Sequence, residues 1–137
     1  MLYAEIISGL WIGDVDMMYN KKFIQDNQIS IIINCTTNFK FSDIENIQNI
    51  RIPLSDNLYQ NLDQLRIHKD KILKFIDDSL ETDNILLSCY DGKIISPFII
   101  SLYLMIYGEI SKETLKQIIL SKNKDISMDY DIHLLDL

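Results

Sequence analysis

The sequence predicts an α/β domain in which a central, mostly parallel β-sheet is flanked by helices. Two apolar runs, at 29–35 and 84–88, are continuous rather than alternating, which is typical of strands buried on both faces. Segments with helical spacing separate them, and alternating strands and helices favour a parallel sheet with helices on both sides. The chain has 137 residues, of which 47 % are hydrophobic, so we expect a single domain over residues 1–137 with a sizeable core.

In the first half of the chain, the remaining elements are short. A strand is predicted at 10–12, and the turn signal Gly13-Asp14 ends it. Apolar residues at helical spacing predict a helix over 15–27. The segment 38–48 has the pattern of a loop with a weak helix, and 50–54 that of another short strand.

The second half of the chain predicts longer helices. From 62 to 80, apolar residues describe one face of a long helix, and lysines lie mostly on the other face. The segment 96–107 is apolar nearly all round, which predicts a helix buried in the core. Ser111 is expected to cap the next helix, with Thr114 three residues further on. A last helical piece is expected over about 129–135.

Composition and charge exclude several classes of function. There are 20 acidic residues against 13 Lys and Arg, a formal net charge of −7, and only Arg51 and Arg66 are arginines. Nucleic acid binding depends on Lys and Arg at phosphates, so no nucleic acid partner is expected. No apolar run reaches the ~18–20 residues of a membrane span, and the first residues lack the basic and apolar pattern of a signal peptide, so we expect no membrane partner.

The cysteines and histidines predict neither a disulfide framework nor a metal site. Cys35 and Cys89 do not resemble a disulfide framework or a metal site, which would need more ligands at closer spacing. His68 and His133 have no partner at a ligand spacing, and both are expected to be structural. We therefore expect no metal and no cofactor, and an intracellular, cytoplasmic location in which thiols stay reduced.

The stretch 85–96 carries the chemistry. A buried strand ends at Cys89, a tight loop with Gly92 follows, and a buried helix begins at Ser96. Such a loop directs backbone N–H groups and a helix N-terminus at one point, which makes an anion site. A cysteine there is expected to have a lowered pKa. A buried structural cysteine at a strand end is the alternative, and for a single cysteine it is the commoner case.

This stretch resembles the signature loop of the dual-specificity protein phosphatases, His-Cys-x-x-Gly-x-x-Arg-Ser. Cys89 falls at the nucleophile, Gly92 at the glycine, and Ser96 at the hydroxyl that assists departure of the thiolate. The resemblance implies the fold of that family and a phosphate-binding loop. That loop would comprise Ser88, Cys89, Tyr90, Asp91, Gly92, Lys93, Ile94, Ile95 and Ser96.

The resemblance extends over nearly the whole chain. Residues 6–13 and 29–36 are similar to the first strands of the family, and 51–56 is similar to its Ile-Pro-x-x-Asp segment. The last match implies that Asp56 is the general acid that protonates the leaving oxygen. Without the resemblance, Asp56 is equally well explained as a turn aspartate.

Two positions depart from the family pattern, because Ile95 stands at the arginine and Ser88 at the histidine. The arginine binds the phosphoryl group and stabilises the transition state, and an aliphatic side chain does neither. Loss of such a charge costs on the order of 10³–10⁵ in rate. Lys93 is the nearest cation, but its position usually points away from the phosphate. Ile95 is expected one residue before the helix, where an arginine would fold over the loop without entering the core.

These departures favour a pseudophosphatase, a phosphatase fold kept as a module that binds or regulates a protein or phosphoprotein. One alternative is a slow phosphatase that uses Cys89 and Asp56, and another is a scaffold with no ligand in the loop. Isoleucine, asparagine and lysine are abundant, a bias of AT-rich coding DNA. Large DNA viruses and some protists have such genomes, so the bias allows a viral source, in which case the host cytoplasm is the expected location. Oligomeric state and client are not indicated.

Overall fold

A computed structural model describes residues 1–128, 130 and 131. Its strands in this part of the chain are β1 (Tyr3–Ile7), β2 (Leu10–Gly13), β3 (Ile29–Asn34), β4 (Gln48–Arg51) and β5 (Asn84–Ser88). Its helices are α1 (Val15–Met18), α2 (Lys21–Asp26), α3 (Leu62–Ser79), α4 (Ile95–Ile106) and α5 (Lys112–Lys122), with a 3-10 turn at Leu58–Asn61 before α3.

The strands form one sheet in the order β1-β2-β5-β3-β4. β1 is antiparallel to β2, whereas β2, β5, β3 and β4 are parallel to one another. The mostly parallel sheet that the sequence predicts is therefore confirmed. The two strands predicted as central, β3 and β5, are neighbours, with Ile32 opposite Leu86.

Both faces of the sheet are covered, as the continuous apolar strands require. On one face, Ile31 and Ile33 of β3 belong to the main hydrophobic core, to which α3, α4 and α5 also contribute. On the other face, Ile32 and Leu86 belong to a smaller cluster with the apolar residues of α1 and α2. α4 is buried over almost its whole length, because no polar face interrupts its apolar residues.

Several predicted bounds differ from the structure. The helix expected over 15–27 is two helices, because Asn20 leaves the helical conformation and its Oδ1 accepts the Phe23 N–H at 3.0 Å, which starts α2 anew. No helix forms over 38–48, and the strand expected at 50–54 is β4 at 48–51. The helix expected to begin at 96 begins at Ile95.

For the last third of the chain, the predicted elements can be compared with the structure only as far as the described residues extend. Ser111 caps α5 as expected, since its Oγ accepts the Thr114 N–H at 3.3 Å. The helical piece expected over 129–135 lies largely outside the described residues, and Tyr130 and Asp131 are not helical. Within the described part of the chain, no helix is both long and apolar enough to cross a bilayer.

Candidate active site

The loop between β5 and α4 lies where the parallel strands end. Cys89 directly follows β5, and its N–H donates to Gly13 O at 3.2 Å, at the end of β2. On the other side, the Cys35 N–H at the end of β3 donates to Ser88 O at 2.8 Å. In sheets of this kind, ligands bind beyond the carboxyl ends of the strands. The fold thus places the loop in the usual position of a functional site.

Gly92 makes the tight course of the loop possible. Its φ is +72°, in the left-handed region that favours glycine. A Cβ atom at this position would lie 2.8 Å from the Asp14 backbone N and 2.9 Å from the Gly13 backbone C. The loop therefore lies directly against the turn after β2, and any other residue would push it away.

Cys89 and Ser96 face each other inside this loop. The Cys89 Sγ and the Ser96 Oγ are 3.0 Å apart, and the Ser96 N–H points at the same sulfur, with N and Sγ 3.4 Å apart. Both side chains are completely buried. The structure therefore brings together the thiol and the hydroxyl that the resemblance paired.

The environment of Cys89 nevertheless favours the neutral thiol. Burial raises the pKa of the Cys89 thiol above its ordinary value, and the hydrogen bonds from Ser96 and the Gly92 N–H offset this only in part. The negative charge of Asp91 raises the pKa further. The loop geometry by itself favours a lowered pKa, but here burial outweighs the donated hydrogen bonds.

The side chains at the two departures take structural positions. The Ser88 hydroxyl is buried and donates to Asp14 O at 2.9 Å, which ties β5 to the turn after β2. Ile95 is only 2 % exposed and belongs to the main hydrophobic core. Ile95 is also the first residue of α4, so the expectation that it precedes the helix is wrong. Ile94 holds the N-cap position, without a side-chain cap.

Neither arginine supplies the missing charge in this conformation. Arg51 donates to Thr36 O at 2.8 Å and to Phe39 O at 2.6 Å, and its guanidinium lies 4.9 Å from the centre of the Phe41 ring. Arg66 lies on α3, where its Nη1 is 3.3 Å from an Asp63 carboxylate oxygen. Arg51 is therefore used to hold the segment after β3.

Carboxylates surround the outer side of the loop. The Asp91 Oδ1 accepts the Lys93 N–H at 2.9 Å, which removes one backbone donor from a possible anion site. A hollow of about 460 Å³ beside the loop is lined by Asp14, Asp16, Asp91 and Asp125 together with Lys93. The four carboxylates outnumber the Lys93 ammonium and the amino group of Met1, which also lines the hollow, and this disfavours an anion on this side.

Asp56 lies on an exposed turn before the 3-10 helix. It lines a cleft of about 440 Å³ together with Ile94, Leu58 and Tyr130, among other residues. Cys89 does not line that cleft, since its side chain is buried beneath the loop. The structure thus brings Asp56 to the outside of the loop but does not open a path from it to the thiol.

Two residues to which the sequence analysis gave no chemical role, Tyr90 and Cys35, make contacts at the site. The Tyr90 hydroxyl donates to Leu54 O at 2.9 Å and accepts the Thr37 N–H at 3.1 Å, so it joins three loops. Cys35 is buried at the end of β3, next to the end of β5, and burial together with nearby Cys89 raises the pKa of its thiol. The contacts of Tyr90 and of Cys35 join residues that are distant in sequence, so no local sequence pattern predicts them.

Metal ligation and the histidines add little to the site. Among the described residues, no group of three or more His, Cys, Asp or Glu side chains is arranged to hold a metal ion. His68 is exposed on α3, far along the chain from the loop, and His133 lies outside the described residues. The expectation that no cofactor is used stays a prediction.

Comparison with solved structures identifies the architecture. Human DUSP28 superposes with a TM-score of 0.83, at 13 % identity, over 98 % of this chain and 90 % of that one. The human tyrosine phosphatase-like serine/threonine/tyrosine-interacting protein superposes with a TM-score of 0.81, at 19 % identity, over 98 % and 93 % of the two chains.

This chain has the dual-specificity-phosphatase fold. The Yvh1 phosphatase domain from Chaetomium thermophilum adds a fungal example, with a TM-score of 0.76 at 21 % identity over 97 % of this chain and 91 % of that one. No protein-family model and no curated protein sequence matches the chain. At these identities the superpositions establish the dual-specificity-phosphatase fold and leave the activity to be argued from the site.

Proposed function

We propose that this chain is a pseudophosphatase, a dual-specificity-phosphatase fold that binds or regulates another protein without hydrolysing phosphate esters. The observation that carries this proposal is the position of Ile95. Its aliphatic side chain replaces the phosphate-binding arginine of the signature loop and is buried in the core. Phosphoryl transfer depends on positive charge around the transferred group, so the loop lacks the largest contribution to catalysis.

The state of Cys89 supports the same proposal. The nucleophile in this chemistry is the thiolate, and a buried thiol with a raised pKa is almost entirely protonated at neutral pH. The carboxylates of the adjacent hollow add a field that repels a phosphorylated substrate. A partner protein is therefore proposed to bind at another surface of the domain, or to bind at the loop without transfer of a phosphoryl group. A cytoplasmic location, that of the host if the chain is viral, belongs to the same proposal.

Hydrolysis of p-nitrophenyl phosphate tests the proposal, with Cys89→Ser and Asp56→Asn as variants. Wild type should be slower than an active dual-specificity phosphatase by on the order of 10³-fold or more, because the charge is lost. The two substitutions should change the residual rate little. Brisk turnover that Cys89→Ser abolishes would instead support the slow phosphatase that uses Cys89 and Asp56.

Oxyanion binding separates a module with a working phosphate loop from a scaffold without one. Titration with tungstate or phosphate, followed by the backbone amide NMR signals of residues 89–96, reports whether the loop holds an anion. Shifts confined to those amides would support recognition of a phosphoprotein through the loop. No shift up to millimolar anion would leave a module that binds its partner through another surface.

A further inference from the structure

A groove between α3 and β4 lies apart from the phosphate loop. It has a volume of about 360 Å³, which is in the range of ligand-binding clefts. Its walls are apolar, with Ile50 and Ile52 from the sheet edge and Ile72 and Phe75 from α3, all of them partly buried. α3 thus leaves part of the outer strand uncovered on this face.

The rim of this groove carries the positive charge of Lys71, although the chain is acidic overall. His68 and Lys71 line it, three residues apart on one face of α3. No described residue forms an ion pair or a hydrogen bond with the Lys71 ammonium. Its neighbours three and four residues away on the helix are Ile67, His68, Lys74 and Phe75, so no carboxylate on the same helix face reaches it. An acidic partner would supply the missing countercharge.

The strand beside the groove also has an unpaired edge. β4 ends the sheet, and the Ile52 N–H donates inwards to Asn34 O at 3.0 Å. Because backbone groups alternate along a strand, the N–H and C=O of Asn49 and Arg51 point away from β3. These groups make no hydrogen bond with another described residue. An exposed edge of this kind pairs readily with an added strand.

We propose that this groove docks an extended acidic segment of a partner protein, which adds a strand to β4. One aliphatic side chain of the segment enters the apolar groove, and an acidic side chain two residues away meets Lys71. Alternate residues of a strand face the same side, so the recognised pattern is an aliphatic residue with an acidic residue two positions away. The inference goes beyond the proposed function, since it requires neither Cys89 nor an anion in the loop.

The probe is the blocked peptide Thr-Glu-Thr-Ile-Thr-Glu-Thr, carrying a fluorescent label and followed by anisotropy. Its matched control exchanges Ile with the preceding Thr, which keeps the composition but puts Ile on the opposite face of the strand. We expect the control to bind at least about tenfold more weakly, because its aliphatic side chain misses the groove. Equal binding of the two peptides, or no binding of the parent, would overturn the proposal.

Charge reversal at the rim tests electrostatic recognition. Lys71→Glu should weaken binding of the parent peptide about three- to tenfold, and less at high salt, because the side chain is exposed. Lys116→Glu, an exposed lysine on α5, is the control and should change the affinity less than about twofold. Equal effects of the two variants would mean general attraction to the protein's charge, which contradicts a specific groove.

The backbone part of the proposal is tested without altering the protein. Two peptides, N-methylated at the odd or at the even positions, block the donors on one edge of the added strand or on the other. One of them should lose binding and the other should keep it. If both bind like the parent, no strand is added. If sedimentation shows a dimer that Lys71→Glu dissociates, the groove holds a second copy of this chain and the proposal fails.

Discussion

The thiol of Cys89 contacts a hydroxyl, and its environment favours the protonated form. Ser96 remains within 3.0 Å of the sulfur, as a group that assists a thiolate should, yet both side chains are buried and the thiol pKa is raised. At Cys89, burial penalises the charged form more than the three hydrogen bonds from the Ser96 hydroxyl, the Ser96 N–H and the Gly92 N–H compensate. The short contact between Cys89 and Ser96 therefore does not by itself lower the pKa of the thiol.

Alkylation measures this directly. In a Cys35→Ala background, Cys89 should react with iodoacetamide slowly at neutral pH, because it is buried and protonated, and the rate should rise only above about pH 9. The same protein in denaturant supplies the reference rate of an exposed thiol. An apparent pKa below the ordinary value of about 8.5 would show that the loop amides dominate over burial.

Ile95 stands where the signature loop that this chain resembles has an arginine, and its side chain is buried. Ile95→Arg should destabilise the protein by about 3 kcal/mol or more, since a guanidinium would have to leave water at a 2 % exposed position. We expect no recovery of Cys89-dependent hydrolysis, with or without Ser88→His. Denaturant unfolding and p-nitrophenyl phosphate turnover check the two statements.

Ile94→Arg is the matched control, because Ile94 is only partly buried and lines the cleft that contains Asp56. It should cost clearly less stability than Ile95→Arg. A stable, active Ile95→Arg variant would mean that the side chain at 95 turns out of the core easily, which would restore the view that this position faces the loop.

Among the loops, Tyr90 acts as the connecting side chain. Its hydroxyl joins the loop after β5 to Leu54, on the segment that carries Asp56, and to Thr37 after β3. Three segments that are distant in sequence are therefore held in one arrangement by a single polar group. A partner that moved one of them would move the others.

Tyr90→Phe should lower the free energy of unfolding by about 1–2 kcal/mol, because the Thr37 N–H and the Leu54 carbonyl lose their shared partner. Amides at 36–38 and 54–57 should exchange hydrogen faster, which mass spectrometry can follow. Tyr59→Phe is the control, since Tyr59 is 64 % exposed and should change neither quantity. Unaltered exchange in Tyr90→Phe would mean that other contacts hold the loops together.

The fold as a whole buries several weak acids, and this predicts how its stability depends on pH. Burial raises the pKa values of Cys89 and Cys35, and it raises the pKa of Tyr130 to about 12. The folded state therefore keeps protons that the unfolded state releases. Stability is complete below the unfolded-state pKa of each group and declines as the pH rises from there towards the folded-state value.

Thermal unfolding between pH 7 and 11 should thus show a loss of stability that begins near pH 9. Each buried thiol contributes up to about 1.4 kcal/mol per pH unit within its window. The double variant Cys35→Ala and Cys89→Ala should show a shallower decline, with the tyrosines accounting for the rest. An unchanged slope would contradict the assignment of this titration to the thiols.

Local patterns along the chain determined most of the architecture. The continuous apolar runs at β3 and β5 were sufficient to predict central, adjacent, parallel strands, because such strands must be buried on both faces. The Ser111 cap and the buried helix α4 were likewise predictable, since capping and apolar patterns depend on a few neighbouring residues. Family resemblance in the 85–96 segment implied a phosphatase-like loop, and the fold agrees with it.

Only the tertiary structure decided the electrostatic state of the site. Whether Ile95 faces the loop or the core, and whether Cys89 is accessible, depends on contacts between α4, the sheet and the turn at Gly13. The bridge made by Tyr90 and the groove beside β4 also join segments that are distant in sequence. Burial and hydrogen bonding, which set a pKa, are properties of a three-dimensional environment, and one stretch of sequence does not contain them.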